Sequence, residues 1–335
     1  MTSPLSESVE KLLSVAALTL SLELILFKFV PDIGTATLQH GLSTLADFAA
    51  FQRTYLDPGS VHHARFLGND ILYYLAKLIE RSDRSTDPRL HPLRIAAAIL
   101  TPVYAYLGAH FALTRASGLA WRDFFVPYGL TVLIGMYVFY PADMPAMAFL
   151  SISLYMLLQQ RRMAALLLML VTGLFRESAF HMVWLTIAWA LCDRERPTVE
   201  RVAWPSAFAV AFVLEYLAIR RFFPGPISAS GAVILDPRIL FLGAGLLSLT
   251  TICSLGLAAL LPIACALRWR DLPEAGWRRR FFLLNCWIFP AWIVFYRMLS
   301  GNISEFRMLF PALLPCIYGI AYAGRQRELQ AATGR

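Results

Sequence analysis

Residues 62–80, "HHARFLGNDILYYLAKLIE", decide how this chain is laid out. The stretch opens on His62, His63 and Arg65 and closes on Lys77 and Glu80, yet Leu67, Ile71, Leu75, Leu78 and Ile79 recur between them at helical spacing. If it crosses a bilayer, the polar segments downstream face one way; if it lies along the bilayer, they face the other. The apolar stripe is narrow and runs for about 15 residues, short of the about 20 that a crossing needs. Asn69, Asp70, Lys77 and Glu80 fall mostly away from it. The pattern predicts an amphipathic helix in the interface plane. Segment 36–56, with Leu38, Leu42, Leu45 and Phe48 similarly spaced, predicts a second.

The rest of the chain is apolar. Of its 335 residues 58% are hydrophobic and 16% charged, where a soluble domain is about half apolar and about a quarter charged. Mean hydropathy is +0.58. Apolar runs near 12–30, 95–114, 124–140, 144–159, 163–175, 178–192, 203–219, 239–267, 281–299 and 308–323 predict an all-α, polytopic transmembrane bundle of about ten helices. No internal repeat or separate soluble segment interrupts it, so residues 1–335 are expected to form a single integral membrane domain. The first run follows acidic residues and precedes no small-residue cleavage pattern, which predicts an uncleaved first transmembrane helix.

The formal net charge of +8 does not indicate nucleic acid. The arginines cluster in short segments between apolar runs, as the positive-inside rule requires, and no basic residues interleave with an aromatic strand pattern. The five cysteines are scattered through apolar runs without a C-x-x-C pair, so neither structural zinc nor a disulfide framework is expected.

Topology follows from the opening stretch. A spanning 66–80 would put "QQRR" (159–162), "DRERPTVER" (193–201), "RWRDLPEAGWRRR" (268–280) and "GRQREL" (324–329) all outside. With 66–80 along the interface, all four become cytoplasmic, as do both termini, and 31–93 becomes one long external loop. The short external segments are then 140–143, 176–178, 222–238 and 300–307. This second layout needs 163–192 to be two short helices meeting at "FRES" rather than one long crossing. A turn at that depth is tolerated only against protein or a water-filled cavity, so "FRES" becomes a cavity wall. The absence of targeting signals and the arginine-rich loops fit a bacterial inner (plasma) membrane.

The polar residues of interest then gather on the external side. Asp47 in "STLADFAAFQRTYLD" is an acid on an apolar interfacial segment, a setting that can suit a general base; Asp57 and Asp70 share its loop. Asp143 in "YPADMPAM" can cap the following helix, face the cavity as a second acid, or both. Arg176 and Glu177 are charges inside apolar sequence, expensive and therefore functional candidates. Arg176 suits an anionic group such as phosphate, or a structural pair with Glu305. Glu305 and Arg307 in "GNISEFRMLF" read as an acid and a phosphate-binding arginine, or as interface charges. His62 and His63 point in different directions on a helix and cannot readily share a metal. With Arg65 and Asn69 they suit a phosphate or sugar hydroxyl. No cofactor is expected, a divalent metal held with Asp57 or Asp47 being the alternative. No serine-hydrolase order, glycine-rich phosphate loop or H-E-x-x-H is present.

A long first external loop with amphipathic juxtamembrane helices and an acid, followed by a second acidic motif in the next external loop, resembles the GT-C superfamily of membrane glycosyltransferases. The pieces here are Asp47 within 31–93, the helix 66–80, and Asp143 in "YPAD", covering about the first 160 residues. This chain carries one acid in "LADF" where many members carry an acidic pair. The resemblance implies transfer of a sugar from a polyprenyl-phosphate donor to a lipid- or glycan-linked acceptor. Asp47 would act as base, Asp143 as second acid, and Arg65, Arg176 and Arg307 would act on the phosphate. The rival expectation is a transporter or flippase for a lipid-linked or anionic substrate, which would use the same arginines without depending on Asp47.

Overall fold

The computed structural model describes residues 66–80, 92–109, 142–223, 249–272, 276–300 and 306–333, with Gln52, Leu56 and Asp57. Every regular element among these residues is helical. The α-helices are α1 (Phe66–Glu80), α2 (Pro92–Ala109), α3 (Asp143–Leu158), α4 (Arg162–Phe175), α5 (His181–Cys192), α6 (Thr198–Phe222), α7 (Leu249–Leu267), α8 (Trp277–Ser300) and α9 (Phe306–Thr333). A 3₁₀ turn, Glu177–Phe180, joins α4 to α5. Thr198–Phe222 is long and apolar enough to cross a bilayer. The expected runs at 12–30 and 124–140, and the amphipathic segment 36–56, lie outside the described residues, apart from Gln52 and Leu56 of the last.

α3 is the central helix. Nearly all of "DMPAMAFLSISLYMLL" is buried, because α2, α4, α5 and α9 pack around it. A helix that is apolar on all sides belongs in such a place. Its small residues let neighbours approach closely and its hydroxyls stitch them together. A Cβ on Gly108 of α2 would lie 3.2 Å from the Ala148 backbone. Ser153 Oγ donates to the Ala165 carbonyl of α4 at 2.7 Å, and Tyr318 Oη of α9 donates to the Ser151 carbonyl at 2.8 Å. Small residues and interhelical hydroxyl bonds hold bundles together where water supplies no driving force between helices. Beyond α3 the core continues through Met169, Trp189, Phe281, Phe282 and Leu314. Cys265, Cys286 and Cys316 of α7, α8 and α9 are all buried free thiols. Cys286 Sγ lies 3.7 Å from Cys316 Sγ, far longer than a disulfide of about 2.05 Å.

The outside of the bundle is also apolar. Leu167 on α4, Leu191 on α5, Leu214 and Leu217 on α6, Ile263 on α7 and Trp287 on α8 are all exposed.

The two ends of the bundle differ in charge. At one end the basic segments meet. Arg278 donates to the Leu158 carbonyl at 2.9 Å, Arg162 pairs with Glu200 at 2.8 Å, and Arg201 donates to the Ala190 carbonyl at 2.7 Å. Arg327 pairs with Asp271, and Arg279 lies over Trp269. The segments 159–162, 193–201, 268–280 and 322–327 are thereby linked. The other end carries Asp143, Arg176, Glu177 and Arg220.

Several expectations shift. The helix 66–80 forms; Leu72 and Ala76 are buried against Leu93, Ala96 and Ala97 of α2, with Leu75 and Ile79 of the leucine stripe packed beside them, while Leu78 is exposed. Helix ends run beyond the apolar runs: α6 starts at Thr198, α8 at Trp277, and α9 continues to Thr333 through "GRQREL". Arginine, glutamine, glutamate and alanine are strong helix formers, so a polar surface does not end a helix. Residues 163–192 are two helices, broken at Arg176.

Candidate functional site

The break at Arg176 builds the site. α4 ends at Phe175, and Arg176 takes an extended backbone (φ −161°, ψ 147°), its N–H still donating to the Thr172 carbonyl at 2.9 Å. The chain then makes the single 3₁₀ turn and re-enters helix at His181. The extended residue turns its guanidinium across the bundle to α3. There Arg176 Nη1 donates to Asp143 Oδ1, with the two side chains 11% and 3% exposed. The pair is thus almost wholly buried. Asp143 is the first helical residue of α3 and Ala142 holds the cap position, with no side-chain cap bond. The cap expected of Asp143 is replaced by the ion pair with Arg176. Its carboxylate still gains from the positive end of the helix dipole.

Glu177 turns the other way. Its Oε1 lies 4.0 Å from Arg220 Nη2 near the end of α6, and Arg220 also stacks on Tyr216 at 5.4 Å. Adjacent residues at the break therefore hold two different helices, Arg176 reaching α3 and Glu177 reaching α6.

Below the turn, His181 is buried, with Nδ1 3.0 Å from the Ser178 carbonyl. Its ring centroid lies 4.2 Å from Phe180 and 4.8 Å from Trp292 of α8. Trp184 Nε1 donates to Asn285 Oδ1 at 2.9 Å. Phe175 stacks on Phe149 at 5.5 Å. These aromatics make a dense floor under the charged turn.

Of the residues singled out in the sequence, the structure joins Asp143 to Arg176 and sets Glu177 beside them. Asn69 is buried on α1, which packs on α2 and α4. Arg307 stands in the first turn of α9. Asp47, His62, His63, Arg65 and Glu305, with the 222–238 connection beyond Phe223, lie outside the described residues. No family model, curated protein or solved structure matches the chain. Its chemistry therefore rests on the residues alone.

A carboxylate already accepting from a guanidinium is better placed to orient that guanidinium than to take a proton from a substrate. Asp143 fixes Arg176 near the mixed-charge end of the bundle, where its planar fork suits a phosphate or carboxylate. Among the described residues no group of three or more His, Cys, Asp or Glu is arranged to hold a metal ion.

One residue escaped the sequence reading. Glu215 stands in the apolar run "AFVLEYLAIRRF", and its carboxylate lies against Gly173 of α4. An acid inside an apolar run was the available signal.

Proposed function

We propose that this chain is a polytopic membrane glycosyltransferase of GT-C type. In this reading it moves a sugar from a polyprenyl-phosphate donor to a lipid- or glycan-linked acceptor on the external face of a bacterial inner membrane, both termini being cytoplasmic. The observation that carries the reading is the division of charge along the bundle. Basic segments from four places in the sequence meet at one end, and a buried Asp143–Arg176 pair beside Glu177 and Arg220 occupies the other. Arginine-rich loops mark the cytoplasmic side, and buried intramembrane charges mark a substrate path. The apolar exterior of the bundle supports its place in lipid.

The reaction needs few parts. Asp47 takes the proton of an acceptor hydroxyl, the hydroxyl oxygen bonds to the anomeric carbon, and the bond from that carbon to the phosphate oxygen breaks. Negative charge grows on the departing polyprenyl phosphate. Arg176, held by Asp143, stabilises that charge with Arg65 and Arg307. His62, His63, Asn69, Glu177 and Glu305 complete the walls for donor and acceptor. Lipid tails enter sideways from the bilayer, which accounts for a site at the interface.

Purified protein incubated with polyprenyl-phosphate sugars and an extracted lipid acceptor tests this. Transfer by the wild type and its loss in Asp47→Asn are expected. Arg176→Lys, which keeps the charge but loses the fork, should raise KM for the donor more than it lowers kcat. Transfer that survives Asp47→Asn removes the base. Absence of transfer with every lipid donor, together with substrate movement across proteoliposomes, makes the protein a transporter.

A further inference from the structure

Glu215 sits on the helix best suited to cross a bilayer, about 10 Å short of its end at about 1.5 Å per residue. Its neighbours Val213, Leu214 and Leu217 point outward and are exposed. Glu215 turns inward onto Gly173, where a Cβ would lie 2.6 Å from Oε1 and closer still to Oε2 and would push the carboxyl aside. Oε2 is shielded from solvent and has no hydrogen-bond partner among the described residues. Around the carboxyl, Glu177, Phe212, Tyr216, Ile219 and Arg220 complete a small recess, open on one side.

The charged groups facing this recess are few. α4 presents the uncharged Gly173, the 3₁₀ turn contributes Glu177, and α6 itself contributes Arg220 beside Glu215. Arg220 lies against Glu177 and over Tyr216, while Arg176 next to Glu177 is engaged by Asp143. An ionised carboxylate shielded from water without a donor is far more costly to bury than a neutral acid. Among the described residues no donor reaches Glu215 Oε2 in the present arrangement. Loss of a proton would draw Arg220, the guanidinium lining the recess, between Glu177 and Glu215.

We propose that Glu215 and the Gly173 recess form a proton-binding site within the membrane-spanning part of the bundle, in exchange with the end that carries Asp143 and Arg176. The ligand is a single proton on the Glu215 carboxyl. Such a site equips the protein to couple a step at the charged end to protonation, and it does not rest on the sugar-transfer reading.

The test is covalent labelling of the full chain in detergent micelles with dicyclohexylcarbodiimide, mapped by peptide mass spectrometry. A protonated carboxyl adds across the reagent's N=C bond, its proton passes to nitrogen, and nothing is lost. Glu215 should be labelled near neutral pH, labelling should fall at least tenfold as the pH is raised through the site's titration, and sodium at constant pH should not alter it. Glu215→Gln should lose the label at this peptide. Gly173→Ala should cut it several-fold, because the added methyl displaces the carboxyl. Size-exclusion elution reports that each variant is folded. An unlabelled Glu215 in folded protein, or labelling that ignores pH, overturns the proposal. Protection by sodium overturns it too, by making the recess a metal-cation site. Since no donor sugar is involved, this result is independent of the transfer assay.

Discussion

α3 and α6 are both apolar helices with an acid toward the mixed-charge end of the bundle, yet they hold opposite places. α3 is enclosed on all sides, and its acid, Asp143, is matched by Arg176. α6 lies at the periphery with Phe208 as its buried residue, and its acid, Glu215, faces a recess with one oxygen unmatched among the described residues. The difference lies in what each helix touches. α3 meets α2, α4, α5 and α9, and its Ser151 and Ser153 hydroxyls donate to carbonyls of α2 and α4. α6 turns Val210, Val213, Leu214 and Leu217 outward, where they are exposed. Where a helix is enclosed a charge must be paired; where one side stays open a charge can remain available.

The comparison is most easily broken at the ion pair. Arg176→Ala takes the guanidinium away from a buried carboxylate, which should cost about 3–5 kcal/mol, read as a lowered midpoint of thermal unfolding in detergent. The double variant Asp143→Asn with Arg176→Ala should recover much of that loss. Equal destabilisation of the single and double variants would show that the pair is not what holds the α4 break against α3. A smaller contrast separates the helices themselves. Leu154→Ala in α3 should cost about 2–5 kcal/mol, as a buried leucine does. Leu214→Ala on the outer face of α6 should stay within about 0.5 kcal/mol. Matching losses at the two positions would mean that α6 is packed against something not yet placed beside it.

Much of the architecture is legible in the sequence, for a reason that also sets its limits. Apolar runs locate helices in a bundle, and the break at Arg176–Glu177 within 163–192 follows from keeping the basic segments downstream on one side. Composition does not tell centre from edge. The runs 144–159 and 203–219 read alike, because lipid is as apolar as a protein interior and leaves little periodicity to detect. The same absence hides the seam of α1, where Leu72 and Ala76 are buried against α2 and only part of the leucine stripe, Leu75 and Ile79, packs beside them. Pairing is hidden as well. Asp143 lies 33 residues before Arg176, and only the fold shows the two as partners. Glu215 stands as an acid in an apolar run, but its meaning depends on Gly173 in a different helix.

Everything functional depends on the mixed-charge end facing outward. The direct measurement is accessibility of single cysteines in a background with all five native cysteines replaced, using a membrane-impermeant maleimide on intact cells. Ser178→Cys in the turn after Arg176 should react in intact cells. Arg196→Cys, between α5 and α6 at the basic end, should react only after the membrane is permeabilised. Reaction of Arg196→Cys from outside with Ser178→Cys protected would invert the protein and remove Asp143, Arg176 and Glu177 from the external face.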